Sequence, residues 1–310
     1  MERTGVDARA AAGDGITPTL AELVALRALA QKRPPARRGR HGISGSAPSQ
    51  LRGRGMEYAE SREYVPGDDA RHIDWRLTAR SGRAHTKLYQ AERERLTLVV
   101  ADTAPALYFG TRVRFKSVQA ARAGALAAWA AVRDGDRIAV LRGSREEAPL
   151  RPAAGPRGAL RVLERLRRWY AQPPGEDQGL AFALEHAQRL LRPGSRLVVL
   201  ADPGSLARVE ATRWSALAAH QEVIVLLLAD ALELQPPARA LPFLAGGRRV
   251  ELDLADAGQR QRWLQQFAAP VAEALERLPQ RGVRAQLLRA DAASDAWLPL
   301  LSGLPVAEVA

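Results

Sequence analysis

Asp102 and Asp202 each follow an apolar run that reads as a buried strand. The runs are Leu-Thr-Leu-Val-Val-Ala before the first and Arg-Leu-Val-Val-Leu-Ala before the second. Carboxylates at the carboxyl ends of parallel strands stand where open α/β sheets bind ligands. Such a pair offers oxygen ligands to a divalent cation, or each caps the helix that follows, and spacing alone leaves both open. A second candidate is Gly110-Thr-Arg-Val-Arg-Phe-Lys-Ser117, placed between a strand and a helix as a phosphate-binding loop must be. Phe115 holds the position of its second glycine. A side chain there blocks close approach of the backbone to a phosphate, which argues against nucleotide binding.

Other chemistries find less support. The chain has no cysteine, which excludes disulfides, thiolate metal sites and thiol catalysis. His41, His72, His85, His186 and His220 include no pair at metal-ligand spacing. No Gly-x-Ser-x-Gly elbow occurs, so serine-hydrolase chemistry lacks its nucleophile. The six tryptophans are dispersed and read as packing residues.

These residues need a frame to position them. The chain has 310 residues, 46% hydrophobic and 26% charged, enough for a full core. Strands are expected at 96–102, 137–141, 196–202 and 222–228, alternating with helices at 115–133, 159–170, 180–191 and 207–219. That alternation predicts an α/β fold with a doubly wound, mostly parallel sheet. Beyond 230, a short strand at 248–253, a long helix at 257–278, a strand at 284–288 and a last short helix at 295–301 extend it. Ahead of the sheet, residues 1–16 read as disordered. A helix starts near Leu20, with Thr19 and Glu22 spaced as a capping box, and Pro34-Pro35 ends it.

Net charge is +12, from 46 basic and 34 acidic residues. Seven basic residues and no acidic one lie between Lys32 and Arg54, so removing that stretch leaves 12 − 7 = +5. The excess is local. A sequence-independent nucleic-acid contact through 32–54 is one reading of it, although no aromatic residue is present there for stacking. The chain shows neither a signal peptide nor an apolar run of membrane-spanning length, so a cytoplasmic protein without membrane insertion is expected.

The densest polar stretch runs from 53 to 94. Its interleaved carboxylates and guanidiniums suggest a semi-buried lattice of ion pairs, since the planar fork of arginine holds a carboxylate at two points. Arg62, Tyr64, Pro66, Gly67, Asp68, Asp69, Arg71, Ile73, Asp74, Trp75 and Arg80, followed by Glu92 and Glu94, form an Arg-x-Tyr-x-Pro-Gly-Asp-Asp-x-Arg-x-Ile-Asp-Trp…Ala-Arg…Glu-Arg-Glu string. The string resembles the DUF58 family, and the resemblance extends over most of the chain.

That resemblance implies a von Willebrand factor A-like domain over 96–230. A helix, basic loop and motif region at 17–95 would precede it, and a C-terminal α/β extension at 231–310 would pack on the same sheet. It implies partnership with a MoxR-type AAA+ ATPase in assembling or activating a client protein complex. Larger members carry membrane helices, and this chain resembles the short soluble type. The metal site of A-domains uses an Asp-x-Ser-x-Ser string after the first strand. Here Asp102 is followed by Ala104 and Ala106 at the serine positions, with Asp202 matching a later aspartate. The expectation is therefore a degenerate site with no cofactor and at most weak Mg²⁺ binding, Thr103 and Asp177 being the possible substitute ligands. The expected function is a non-enzymatic interaction module. Motif residues serve fold integrity first and docking second. A metal-dependent adhesion module with a modified site is a further alternative.

Overall fold

The computed structural model describes residues 13–32, 56–91, 95–245 and 247–302. Two compact units result, one formed by residues 41–94 and the other by 1–40 with 95–310.

In the larger unit the chain is an α/β fold around a five-stranded parallel sheet. Strands β3 (Leu96–Ala101), β4 (Arg137–Arg142), β5 (Arg196–Ala201), β6 (Glu222–Ala229) and β9 (Arg284–Arg289) lie in the order β4-β3-β5-β6-β9. The inner strands are buried on both faces, which is why they read as continuous Val, Leu and Ile runs rather than alternating ones. On one face lie two helices, α4 (Lys116–Arg133) and α5 (Gly155–Ala171). Short helices α1 (Leu20–Ala25) and α2 (Arg27–Gln31) pack against them. The opposite face is covered by α6 (Gly179–Leu190), α8 (Ala211–Ala218) and α10 (Ala257–Arg277). The small residues of α4 allow close approach: a Cβ at Gly124 would collide with Leu166 and Leu200. The helix expected near Leu20 forms as two pieces joined at Leu26. Thr19 accepts the Glu22 amide at 3.2 Å as a cap, but the Glu22 carboxylate pairs with Arg122 instead of closing the box.

The amino edge of the sheet carries a half-buried ionic row that the sequence pattern did not signal. Strands β4, β5, β6 and β9 open on Arg137, Arg196, Glu222 and Arg284, and Arg95 precedes β3. Arg95 donates to Asp136 at 2.9 Å and to Glu222 at 3.0 Å. Arg196 donates to Glu222 at 2.9 Å, and Arg284 pairs with Glu222 as well. Thus a dense ion-pair lattice sits here, built on Asp134, Asp136 and Glu222. Past Asp230 come the short helix α9 (Ala231–Leu234), the hairpin β7 (Ala240–Ala245) and β8 (Arg248–Asp253), then α10 and β9. Strand β7 was not expected. Pro242 interrupts its pattern, and a two-stranded hairpin tolerates proline at its edge. No described helix is long and apolar enough to cross a membrane.

The smaller unit holds strand β1 (Met56–Glu63) antiparallel to β2 (His85–Ala91), with a register shift between Tyr58 and Glu60. Its connection passes through a 3-10 turn (Ala70–His72) and helix α3 (Trp75–Ser81). Gly67 has φ +109°, and Gly82 ends α3 at φ +72°, both conformations that an L side chain resists.

Candidate functional site

From β3 the chain crosses outward to β4, then returns past β3 to β5. The strand order therefore reverses between β3 and β5, and ligands of open α/β sheets bind at such a point, outside the carboxyl ends of the strands. Asp102 and Asp202 follow these two strands directly. They are joined by a backbone contact: the Asp202 amide donates to Asp102 Oδ2 at 2.9 Å. The Ala104 amide donates to Asp102 Oδ1 at 3.1 Å, and the Tyr170 hydroxyl to the Asp102 carbonyl at 2.9 Å. Burial pushes the Asp102 carboxyl up to about 6, against the lowering pull of the Asp202 and Ala104 amides.

Asp202 caps the short helix α7 (Pro203–Leu206), accepting the Gly204 amide at 2.9 Å. Its other oxygen takes a hydrogen bond from Lys116 Nζ at 3.2 Å, and the same ammonium donates to Glu233 Oε1 at 2.6 Å. The Lys116 side chain is only 1% exposed. A cation in the first turn of a helix opposes the helix dipole, so its place at the start of α4 depends on these two carboxylates. Burial raises the Glu233 pKa, with the Lys116 charge pulling the other way.

The rest of the carboxyl edge follows the same plan. Asp230, after β6, forms a reciprocal cap with Glu233: the Asp230 amide donates to Glu233 Oε2 at 2.7 Å, and the Asp230 carboxylate caps α9. Thr111 donates to Asp230 from its amide at 3.0 Å and from its hydroxyl at 2.6 Å. Arg114 donates to the carbonyls of Ala290 at 3.0 Å and Ala292 at 2.8 Å, beyond β9. Arg289 pairs with Asp291 at 2.6 Å. Residues 110–116 are therefore a basic strap laid across a row of aspartates. The loop that resembled a phosphate cradle holds the chain's own carboxylates, and its lysine points into the fold.

A divalent cation does not fit these residues. Each oxygen of Asp102 already accepts an amide, Asp202 is shared between an amide and an ammonium, and Ala104 and Ala106 bring no ligand atom. Asp177 Oδ1 accepts the Gly179 amide at 2.8 Å. The hydroxyls of Thr103 and Ser117 are buried without a hydrogen-bond partner among the described residues, and two hydroxyls fall far short of an octahedron. Among the described residues, no three His, Asp or Glu side chains gather into a group able to hold a metal.

The motif residues build the smaller unit. Asp74 caps α3 by accepting the Leu77 amide at 3.1 Å and also accepts the Ser61 hydroxyl at 3.1 Å. Asp69 caps the turn at Ala70–His72, with Arg71 3.9 Å from its carboxylate. Asp68 accepts the Val65 amide at 3.0 Å and pairs with Arg62 at 2.6 Å, which closes the Pro66-Gly67 turn. Ile73 bridges to Thr86. Tyr64 donates its amide to Ala84 at 2.8 Å. These ion pairs lie at the surface, not in a semi-buried lattice, because a two-stranded ribbon with one short helix has little interior. Arg80 is exposed, and Trp75 is 69% exposed. Glu92, Glu94 and the basic segment 32–54, apart from Lys32, lie outside the described residues.

Sequence reasoning found Asp102 and Asp202 but missed Lys116, Asp230 and Glu233 as members of the site. A signal was present. The Ala-Asp pair that ends β3 and β5 recurs as Ala229-Asp230 and Ala290-Asp291, after β6 and β9.

Fold and site together define a doubly wound α/β protein whose switch-point carboxylates are held by Lys116 and by backbone amides. The family model described as "Protein of unknown function DUF58" matches residues 60–273, well over half of the chain, and the chain belongs to that family. It is 32% identical over 187 residues to uncharacterized proteins of Mycobacterium bovis and of two strains of Mycobacterium tuberculosis. The match covers 60% of this chain and 58% of each relative. No solved structure matches the chain.

Proposed function

We propose that this chain is a non-enzymatic interaction module with a von Willebrand factor A-like fold. It serves as a cytoplasmic adaptor for a MoxR-type AAA+ ATPase that assembles or activates a client complex. The observation that carries this reading is the state of the switch point. Its carboxylates are engaged by Lys116 and by backbone amides, an arrangement suited to holding a surface in shape rather than to moving protons or activating water. Membership of the DUF58 family supports it, and so does the order of the sheet around Asp102 and Asp202. Docking on this edge then proceeds without a bridging metal, unlike adhesion through a metal-dependent A-domain.

The test is affinity purification of the tagged chain from its own cells. Lysates are nuclease-treated and carry ATP or a slowly hydrolysed analogue. Near-stoichiometric recovery of a AAA+ ATPase that rebinds as purified protein is the expected result. Failure of the purified ATPase to bind contradicts the reading.

A further inference from the structure

One open cavity of the larger unit lies beside the carboxyl end of β4, away from the switch point between β3 and β5. It has a volume of about 610 Å³ and opens between residues 146–151 and helix α5. Arg161, Arg165 and Arg168 line it from one stripe of that helix at i, i+4 and i+7, and Arg142 and Arg151 line it from the other side. Within it the Glu147 carboxylate meets a converging set of donors. Trp169 Nε1 donates to Oε2 at 2.6 Å and Arg142 Nε at 3.3 Å, while Arg165 and Arg168 donate to Oε1. The chain thus fills a carboxylate-recognition site with its own residue. Arg151 and Arg161 are exposed on the lining and have no ion-pair or hydrogen-bond partner among the described residues.

We propose that this cavity binds an acidic peptide segment of a protein partner. Carboxylates of that segment would pair with Arg151 and Arg161 and extend the lattice that Glu147 begins. Five guanidiniums against the two carboxylates of Glu146 and Glu147 leave the lining strongly positive. Arginine forks match carboxylate oxygens at two points. A nucleic acid is the less suitable anion: Trp169 is buried, and the uncharged part of the lining is Ala148, Pro149 and Leu150, with no aromatic face for a base to stack on. Strand addition to the β4 edge is not the binding mode, because Ile138 and Ala153 already exchange backbone hydrogen bonds at 2.9 and 3.1 Å there. This inference rests on the cavity alone and does not depend on the adaptor reading.

The test measures fluorescence polarisation of a labelled peptide of alternating Glu and Ser at about 50 mM salt, where charge pairing is little screened. The full chain is compared with an Arg151→Glu/Arg161→Glu variant and with Arg262→Glu, which reverses an exposed charge outside the cavity. Both substituted positions in the cavity are exposed and unpaired, and thermal melts confirm that each variant is folded. Saturable binding is expected, weakened at least about tenfold by the double reversal and little changed by Arg262→Glu. No binding by the native chain, or equal loss in both variants, overturns the proposal. So does tighter, Arg151- and Arg161-dependent binding of a single-stranded oligonucleotide of matched charge.

Discussion

Lys116 donates its ammonium to Glu233 across 2.6 Å from a side chain that is 1% exposed, so the carboxyl edge of the sheet contains its own counter-cation. The same nitrogen reaches Asp202. Asp202 after β5, Glu233 in the short helix α9 and the first residue of α4 form one unit, and the start of α4 is tied to the switch point through it.

Removing one member of a buried ionic group leaves the others uncompensated, which costs about 3–5 kcal/mol. Lys116→Met is expected to lower unfolding free energy in urea by that order. Adding Glu233→Gln recovers part of the loss, because it takes away one of the stranded charges. A loss below about 1 kcal/mol in the single variant would show that the ammonium is dispensable.

Asp102 should titrate far from an ordinary aspartate. Its folded pKa of about 6 lies above the unfolded 3.8. The folded state therefore holds the proton more tightly, and the stability contributed by the protonated form is lost as pH rises from about 4 through 6. Asp102→Asn keeps a neutral group at every pH. The stability of the variant relative to native should improve by up to about 3 kcal/mol between pH 4 and pH 7, on top of a constant loss from the amide hydrogen bond that asparagine cannot accept. A difference independent of pH would place the titration elsewhere. Carbon NMR of labelled aspartates reads the same pKa directly.

The amino edge of the sheet behaves in the opposite sense. Burial pushes the Glu222 pKa up, but the charges of Arg196, Arg284 and Arg95 outweigh it and hold the group below its ordinary value. Its contribution is then present above the unfolded glutamate pKa and is lost as pH falls through the lower folded value. Glu222→Ala takes from Arg284 its carboxylate partner and leaves Arg95 and Arg196 to Asp134 and Asp136, so it is expected to cost up to about 3 kcal/mol at neutral pH, with the deficit shrinking in acid. Urea melts at neutral and acid pH decide this, and a deficit that grows in acid would contradict it.

In the smaller unit, Asp74 ties the start of α3 to β1 through Leu77 and Ser61. Asp74→Ala should lower the thermal midpoint of this unit, because both hydrogen bonds are lost. Asp74→Asn, which retains an acceptor at the cap, should restore most of it. Loss of partner binding with an unchanged midpoint would assign Asp74 to docking instead of integrity.

The α/β class was legible because a parallel strand covered on both faces must be a short apolar block, and 96–102, 196–202 and 222–228 are such blocks. Asp102 and Asp202 could be placed because they end those blocks. Lys116 could not. It opens α4 at the end of a loop whose local pattern suggests a phosphate cradle, and its partners stand 86 and 117 residues away in the chain. The amino-edge network was hidden for the same reason: Arg95, Asp136, Arg196 and Glu222 converge only once the strand order is known. The basic cavity was hidden too, since arginine is so abundant here that the stripe at 161, 165 and 168 does not stand out.

Calorimetric titration of the native chain with Mn²⁺ tests most directly the claim that Lys116 supplies the cation of the switch point. The account predicts no saturable heat in the micromolar range. Micromolar binding that disappears in Asp102→Ala would contradict it, for it would show that the carboxylates around Lys116 hold a metal after all.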